Sequence, residues 1–286
     1  MVLDVDRARS VGKGLARQSG LTIDALAEGI VRIANVSMER AIRRVSLERG
    51  HDPRRFTLVA FGGAGGMHAC EIAAELDIGT VLVPRHAGVL SAMGMLAADV
   101  TRDYSVAVLE RTERMPVGRL NRQYKPLVAR ARDALRAEGF SGARQVIRQQ
   151  IDVRYAGQSY ELTVPWSPDF EREFHRRHRH VYGHANAARP TEIVALRVRA
   201  IGLTEKPVFP RARVRPHAAG APHAVRPARF GGRSLGTSFY RWDSLKAGAR
   251  GRGPAVITGG EATIVAPPGF GFDLDGFSNV VLRRRS

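Results

Sequence analysis

An apolar strand that leads into a cluster of glycines, and from there into a helix, restricts the fold of this chain more than any other feature. Residues 56–61 read Phe-Thr-Leu-Val-Ala-Phe, and a glycine-rich segment separates them from a helical stretch over residues 67–76. Glycines let a backbone approach a polyphosphate closely, and the first amides of a helix offer donors and a partial positive charge. The pattern predicts a nucleotide-binding cradle formed by Gly62, Gly63, Ala64, Gly65, Gly66 and His68. The alternative is a tight strand-to-helix turn that binds nothing.

Two common phosphate-binding motifs do not match this cluster. A P-loop requires Lys followed by Ser or Thr after its last glycine, whereas Met67 and His68 stand there. A dinucleotide-binding fingerprint that began at Gly63 would need its third glycine at the position of His68. The residues that close the next strand, Pro84 and Arg85, offer no carboxylate for a ribose hydroxyl. The cluster is therefore neither a P-loop nor a good Rossmann fingerprint.

Length and composition are typical of a globular protein. The 286 residues suffice for one large or two medium-sized domains, and 44% of them are hydrophobic and 25% charged. No stretch approaches the roughly 18 apolar residues of a membrane-spanning helix. The first thirty residues contain Asp, Arg and Glu throughout, whereas a signal peptide has an apolar core. We therefore expect a cytoplasmic protein without a membrane partner.

The formal net charge of +18 raises the question of nucleic-acid binding. Only four of the 45 basic residues are lysines, and the arginines are spread over the whole chain. Basic runs such as residues 176–180 and 283–285 are short, and no recognisable nucleic-acid-binding module accompanies them. We expect no nucleic-acid partner. The charge is better explained by a solvated surface or by attraction of an acidic partner subunit.

The order of predicted elements begins with an α/β part. Apolar residues keep helical spacing over residues 23–49. This helix, the strands over 56–61 and 80–83, and the helix after the glycines predict an α/β fold with a parallel sheet. Beyond residue 84, small residues such as Gly88 and Gly94 recur, which permits close helix packing or close approach of the backbone to a ligand. A second amphipathic helix is predicted over residues 120–138.

The C-terminal half is predicted to be mainly β. From Val146 the hydrophobic pattern alternates with a period of two, which indicates strands. The first two form a hairpin, a helix over 170–182 follows, and the Pro- and Arg-rich segment 204–227 is typical of a loop. The strands are predicted over 147–155, 160–164, 192–203, 229–242, 255–258 and 262–266.

Several side chains could act as a nucleophile, as metal ligands or as bases, but a structural role explains each of them as well. Cys70 is predicted on the buried face of the helix after the glycines, although a nearby helix N-terminus can activate a thiol as a nucleophile. A histidine cluster invites a zinc site, but Gly183 is expected to end its helix, and a polar helix face is the alternative. Two aspartate pairs are candidate magnesium ligands or bases, with surface turns as the alternative. These clusters comprise His175, His178, His180 and His184, and the pairs Asp99 with Asp103 and Asp273 with Asp275.

Beyond the glycines, longer runs of residues keep a fixed order along the chain. They include Asp52 to Phe56, Gly62 to Ala69, Val83-Pro84, Gly88 to Gly94, Asp99, Asp152 to Leu162, Phe174 to His178, Tyr182-Gly183, Glu192 to Arg197, Gly253 to Ile257 and Val265 to Gly269. In this order they closely resemble the hydantoinase A / 5-oxoprolinase family. Because the resemblance extends over about residues 21–282, it is far more specific than the glycines alone.

The resemblance implies a fold, cofactors and partners. Residues 1–145 would form part of an ATPase domain of the actin and sugar-kinase type, and residues 146–286 a β-rich (α+β) C-terminal domain. In this family ATP, with Mg²⁺, activates the carbonyl oxygen of a cyclic amide such as a hydantoin or 5-oxoproline, and the ring is then hydrolysed; relatives carboxylate ketones. A hydantoinase B-like subunit commonly completes the reaction.

The chain also departs from the family pattern. Family members begin with an N-terminal half whose Gly-Gly-Thr phosphate loop faces the nucleotide, and we find no such loop here, so we expect the C-terminal portion of a subunit. It would supply one wall of the ATP cleft, be inactive alone, and need the N-terminal half as a partner. Gly66 also stands where relatives usually carry Pro, and residues 262–264 replace a more Thr-rich stretch. No catalytic residue is assigned, and a non-catalytic assembly module that has lost ATP is the alternative.

Overall fold

The computed structural model describes residues 4–285, except for the side chain of Val5. No helix in this range is both long enough and apolar enough to cross a membrane. Short 3₁₀ turns occur among others at Pro53–Arg55, Ala87–Val89 and Trp242–Ser244. The α-helices of the described residues are α1 (Val5–Gln18), α2 (Ile23–Val45), α3 (Gly65–Glu75), α4 (Leu90–Ala97), α5 (Val117–Ala137) and α6 (Phe170–Tyr182).

The β-strands are short in the first part of the chain and more frequent after residue 145. They are β1 (Thr57–Val59), β2 (Thr80–Val83), β3 (Val100–Arg111), β4 (Gln145–Tyr155), β5 (Leu162–Pro165), β6 (Thr191–Gly202), β7 (His217–Ala218), β8 (Ala224–Phe230), β9 (Arg233–Arg241), β10 (Ala249–Arg252), β11 (Ala255–Thr258), β12 (Thr263–Ala266), β13 (Phe270–Leu274) and β14 (Val280–Arg284).

The strands of the described residues form three sheets. A six-stranded sheet has the order β1-β2-β14-β13-β10-β7. One four-stranded sheet has the order β12-β11-β9-β8, and the other has the order β3-β6-β4-β5. Because β2 pairs with β14, residues from the two ends of the chain share one sheet.

Contacts divide the chain into two compact units that do not follow sequence order. Unit 1 comprises Met1–Gly94 and Val208–Ser286, and unit 2 comprises Met95–Pro207. The division follows from the pairing of β2 with β14, which returns the C-terminal residues to the sheet of the N-terminal ones. The predicted boundary between residues 145 and 146 falls inside unit 2, at the start of β4.

In unit 1, one face of α3 is buried against the six-stranded sheet and β12. Its residues Cys70, Ile72 and Ala73 are at most 4% exposed. Burial of a large aliphatic side chain contributes about 1.5–3 kcal/mol, so this packing fixes the helix and its N-terminus in place. The same core contains Val81, Val83, Trp242, Ile257, Ile264, Phe272, Leu274, Val280 and Leu282.

Unit 2 packs helices against the antiparallel sheet that contains β4 and β6. The core includes Leu120, Tyr124, Leu135, Ile151, Phe170, Phe174, Leu196 and Val198. Asp152, on β4, is fully buried. Its carboxylate accepts a 2.6 Å hydrogen bond from the hydroxyl of Thr163 and pairs with the guanidinium of Arg197. The buried charge is thus both paired and hydrogen-bonded, as burial of a carboxylate requires.

An α/β part followed by a mainly β part is confirmed, and so are the elements with strong local signals. Helix α6 has the predicted bounds, and it ends at Gly183, whose φ is +78°. Strands β2 and β11 also have the predicted bounds, and α2 begins where predicted, with the Thr22 side chain accepting from the Ala25 amide. The predicted hairpin is formed by β4 and β5, which pair antiparallel.

Other expectations need correction. The sheet of the α/β part is mixed: β1 and β2 are parallel, but β14 pairs antiparallel with β2. The segment 204–227 is irregular at residues 204–216 and 219–223, but it also contains β7 and the start of β8. The predicted strand over 229–242 is interrupted, because Gly231 and Gly232 both have positive φ and form the turn between β8 and β9. The elements that were not predicted are helices α1 and α4 and strands β3, β7, β10, β13 and β14.

Candidate functional site

The glycine segment lies at the carboxyl end of β1, beside the carboxyl end of its parallel neighbour β2. Ligands of α/β proteins commonly bind at this edge of a sheet. Gly62 has a φ of +83°, a conformation that disfavours residues with a side chain. Its amide donates a 2.7 Å hydrogen bond to the carbonyl of Ala87, in the loop after β2. The loops that follow the two strands are therefore tied together.

A third segment, the turn of residues 259–262 between β11 and β12, closes against these two loops. The amide of Thr263 donates to the carbonyl of Gly63 at 3.1 Å. A side-chain carbon at Gly66 would lie 2.8 Å from the carbonyl oxygen of Thr263. At Gly88 it would lie 2.7 Å from Cβ of Glu261 and would overlap that residue's carbonyl oxygen. A side chain at either position would force one of the two backbones to shift.

The amides at the start of α3 are available to a ligand. Within residues 4–285, the amides of Gly63, Ala64 and Gly65 donate to no acceptor. Ala64 precedes the helix and provides no side-chain cap. Such amides, together with the positive end of the helix dipole, form an anion site. The arrangement can bind a phosphate group through the backbone.

His68 is held by a hydrogen-bonded chain that leads to α2. Its Nδ1 lies 2.7 Å from Oδ1 of Asn35, and Nδ2 of Asn35 donates to Glu71 at 2.6 Å. A carboxylate only accepts, so the Asn35 amide must direct its oxygen at His68. His68 therefore donates through Nδ1, and its Nε2 remains available to accept or to contact a ligand. Asn35 was not among the predicted site residues, although a polar residue at a buried position of α2 is a recognisable signal.

The structure thus brings the predicted site residues together at one edge of unit 1. It also places further residues beside them that were not predicted from the sequence. A cavity of about 200 Å³ lies beside the 259–262 turn, lined by Arg85, His86, Trp242 and Asp243 as well as the turn itself. The Arg85 guanidinium pairs with Asp243 and holds the pKa of that carboxyl below its usual value. Arg85 and His86 follow a parallel strand directly, which is the signal that could have found them.

Cys70 has no access to this site. It is 1% exposed, which confirms the predicted buried position. Burial, with a smaller contribution from Glu71, raises the pKa of its thiol to about 12. A thiol with that pKa is protonated at neutral pH and is a poor nucleophile. The nucleophilic alternative is therefore not supported.

Family profiles match almost the whole chain. The profile described as Hydantoinase/oxoprolinase matches residues 1–104, and that of the Hydantoinase/oxoprolinase C-terminal domain matches residues 109–284. The chain belongs to the hydantoinase/oxoprolinase family. This confirms the resemblance found in the sequence.

Individual members of the family give the same result. The caprolactamase subunit alpha of Pseudomonas jessenii is 32% identical over an alignment of 276 residues. The alignment covers 91% of this chain and 40% of that protein. A crystal structure of the ATP-dependent caprolactamase from Pseudomonas jessenii matches with a TM-score of 0.73 and 30% identity, over 96% of this chain and 42% of that chain. This chain therefore spans about two fifths of the length of these relatives.

A second solved structure shares the fold at lower sequence identity. This is the nucleotide-free structure of acetone carboxylase, which was determined to explain ATP-dependent acetone carboxylation. It matches this chain with a TM-score of 0.85 at 23% identity. The match covers 99% of this chain and 43% of that chain. This likeness shows that the two proteins share the fold over the matched segment.

The histidine cluster of this family member is only in part the polar helix face that was expected, because His180 is exposed whereas His178 is buried. His178 is 3% exposed and donates from Nδ1 to the carbonyl of His184 at 2.7 Å. The hydroxyl of Tyr155 accepts from the amide of Asn186, and it is hydrogen-bonded to Nδ1 of His175 at 2.9 Å. Among the described residues, no group of His, Cys, Asp and Glu has the arrangement of a metal site. The cluster packs the helix against β4.

The two aspartate pairs are engaged in different contacts. Asp99 accepts from the amide of Thr204 and pairs with Lys206, and Asp103 pairs with Arg199. Asp273 pairs with two arginines. Asp275 accepts from the amides of Phe277 and Asn279, so it forms the expected surface turn. The other three carboxylates balance the charge of neighbouring basic groups.

His175 makes the stability of unit 2 depend on pH. Burial lowers the pKa of its imidazole below the usual 6.5, and this effect outweighs the attraction of Glu171, which favours the protonated ring. The unfolded chain therefore binds a proton at a higher pH than the folded chain does. This contribution is fully present above about pH 6.5 and decreases as the pH falls below that value. We expect His175→Asn, whose side-chain amide does not titrate and can still hydrogen-bond to Tyr155, to unfold with a weaker pH dependence.

Chemical denaturation of the wild type and of His175→Asn between about pH 7 and about pH 5 measures this effect. His180→Asn is the matched control, because His180 is exposed on the same helix. The free energy of unfolding should fall more steeply in the wild type and the control than in His175→Asn. Equal slopes in all three would show that His175 does not contribute.

Proposed function

We propose that this chain forms one wall of the ATP site in an ATP-dependent hydrolase of cyclic amides. The observation that carries the proposal is the group of three available amides, Gly63, Ala64 and Gly65, at the start of a buried helix and beside two parallel strand ends. The names of the relatives support it, since caprolactamase acts on a lactam and is called ATP-dependent. Carboxylation of a ketone is the alternative, by analogy with acetone carboxylase.

The residues at the cradle fit a nucleotide phosphate. Their donors are backbone amides, which suit the oxygens of a phosphate, and His68 lies one turn into α3 with Nε2 available. ATP, accompanied by Mg²⁺, would supply the phosphoryl group that activates the amide oxygen of the substrate. The part of this chain would be to bind and orient the phosphates. Gly62 and Gly66 would maintain the backbone that presents the amides.

The complete activity requires further polypeptide in this proposal. The relatives are about two and a half times as long as the segment they share with this chain, and one of them is named a subunit. We infer that the opposite wall of the cleft comes from the N-terminal half of a hydantoinase A-like subunit, and that a hydantoinase B-like subunit completes the enzyme. The chain alone would be inactive. We place the complex in the cytoplasm.

A charge substitution at Ala64 tests the proposal. Ala64→Asp places a carboxylate beside the amides that would bind phosphate, whereas Ala64→Asn adds a side chain of the same size without the charge. The carboxylate would repel a phosphate charge at a distance of roughly 6 Å. With an effective dielectric constant of about 20–40, this repulsion weakens binding about 10- to 100-fold. We expect this ratio between the two variants in titrations with ATP and Mg²⁺.

The titrations use this chain alone and in combination with the remainder of a hydantoinase/oxoprolinase subunit. Equal affinities of Ala64→Asp and Ala64→Asn would place the phosphates elsewhere. If neither wild-type sample binds ATP at about millimolar concentration, the enzyme proposal is wrong, and a non-catalytic assembly module becomes the better interpretation.

A further inference from the structure

Unit 1 contains a further cavity near the candidate site, with a volume of about 670 Å³. Three segments contribute to its lining: the loop after β2 with the start of α4, the irregular residues 209–212, and the turn 276–279 between β13 and β14. The volume is in the range of about 300–1,000 Å³ that is usual for small-molecule sites. The cavity can therefore hold a small organic ligand.

Hydrogen bonds between the three segments fix the walls of this cavity. The amide of Ala212 donates to the carbonyl of Gly276 at 2.8 Å, and the amide of Arg85 donates to the side-chain oxygen of Asn279 at 2.9 Å. A side-chain carbon at Gly276 would lie 2.8 Å from the carbonyl oxygen of Ala212, so the two backbones are in close contact. The cavity is thus formed before a ligand binds, which lowers the entropic cost of binding.

Much of the lining is apolar. It includes Leu90, Met93, Phe209 and Phe277. Phe209 and Phe277 are 47% and 43% exposed, although phenylalanine is among the residues that are most often buried. Covering exposed apolar surface with an apolar ligand is favourable. The cavity therefore favours a ligand with a large apolar part.

The two arginines at the cavity can only donate hydrogen bonds. The guanidinium of Arg211 lies 5.8 Å from the ring centre of Phe277, and Arg85 lines the same cavity. A guanidinium has five N–H donors and no acceptor. The side-chain oxygen of Asn279 already accepts from the Arg85 amide. These groups suit a carbonyl oxygen of a ligand better than its N–H groups.

The loop after β2 connects this cavity to the glycine segment. Pro84, Arg85 and His86 line the cavity. The next residue, Ala87, accepts the hydrogen bond from the amide of Gly62. The cavity and the proposed phosphate site therefore share one loop, and their ligands would be neighbours.

We propose that this cavity binds the ring of the cyclic amide and selects a lactam whose ring consists mainly of methylene groups. The position beside the proposed phosphate site suggests this occupant, and so does the name of the relative caprolactamase subunit alpha. The methylenes would pack against Phe209 and Phe277, and Arg211 would donate to the amide oxygen. The inference rests on the proposed function for the class of ligand, and it adds the site and the preferred ring.

A hydantoin ring fits the same cavity less well. It carries a second amide group where caprolactam has methylenes, and polar groups that leave water without new partners weaken binding. Each methylene that caprolactam buries in addition strengthens binding roughly fourfold. We therefore expect caprolactam to bind at least tenfold more tightly than hydantoin.

The test measures the dissociation constants of ε-caprolactam and hydantoin for this chain by ligand-detected NMR, without nucleotide. The wild type should bind caprolactam at about millimolar concentration. Phe209→Asp places a charge in the apolar lining and should weaken this binding at least tenfold, whereas Phe209→Leu should retain it within about threefold. Val208→Asp is the matched control, because Val208 is 91% exposed and lies outside the lining. Both positions are in an irregular segment, so the melting temperature should not change.

The inference is overturned if the wild type binds no caprolactam at about 50 mM, if both rings bind equally, or if Phe209→Asp binds caprolactam like the wild type. Equal losses in Phe209→Asp and Val208→Asp would also contradict it, because the loss would then be unrelated to the cavity. Caprolactam binding by a chain that has no affinity for ATP would reject the proposed function and keep the cavity. ATP binding without caprolactam binding would reject the cavity and keep the proposed function.

Discussion

Gly88→Ala is expected to destabilise unit 1 by about 2–3 kcal/mol and to weaken nucleotide binding at the same time. The added carbon would overlap the carbonyl oxygen of Glu261 and lie 2.7 Å from its Cβ. Both segments are backbone, so neither a rotamer change nor a flexible side chain can relieve the overlap. The turn of residues 259–262 must move away from the loop after β2. Because that loop accepts the Gly62 amide through Ala87, the displacement reaches the glycine segment.

Gly94→Ala is the matched control for this prediction. Gly94 lies inside α4, and no atom outside its immediate neighbours lies within 4 Å of the position that its Cβ would take. Replacement of an unhindered helical glycine by alanine stabilises a helix by about 0.5–1 kcal/mol. Thermal unfolding should therefore show a melting temperature that is about 5–10 °C lower for Gly88→Ala than for the wild type. The melting temperature of Gly94→Ala should be unchanged or slightly raised. Similar melting temperatures for both variants would contradict the close approach at Gly88.

Local signals explain which parts of the fold could be predicted from the sequence. Helix α6 combines helical spacing with a glycine at its C-terminus, and the strand, glycine cluster and α3 are consecutive. Both depend on residues close together in the chain. Strand β3 was missed although Val100, Tyr104 and Val108 recur at alternate positions, because most of its residues are exposed and Arg102 interrupts the apolar series on the same face.

The rest of the candidate site depends on contacts between distant residues. The glycines of the sequence suggested either close packing or approach to a ligand, but only the pairing of β2 with β14 and the packing of α3 on β12 bring Glu261 to Gly88. The same applies to Asn35, which becomes a partner of His68 only because α2 lies beside α3. The division into compact units also follows from long-range pairing, because unit 1 is assembled from both ends of the chain.

Trp242→Ala is expected to have the largest effect on stability, about 3–5 kcal/mol. The side chain is 2% exposed, and its Nε1 donates to the carbonyl of Ser278 at 2.9 Å. Its ring also supports the candidate site, because a carbon at Gly259 would lie 3.3 Å from Cε3 of Trp242. The Arg85 guanidinium lies 5.5 Å from the ring centre on a cation–π contact. Truncation leaves a large cavity under the 259–262 turn, an unpaired carbonyl, and an arginine without its support.

The other tryptophan of the chain provides the control. Trp166 is only partly buried, and it packs on Tyr124 and Phe170 in unit 2. Its truncation should cost about 1–3 kcal/mol and leave the candidate site intact. Urea unfolding followed by circular dichroism gives the two stabilities, and hydrogen exchange of residues 255–266 reports on the turn. Exchange should accelerate in Trp242→Ala and not in Trp166→Ala. Unchanged exchange in both variants would mean that the turn is held by its contacts with Gly63 and Gly88 alone, and that Trp242 stabilises the core without organising the site.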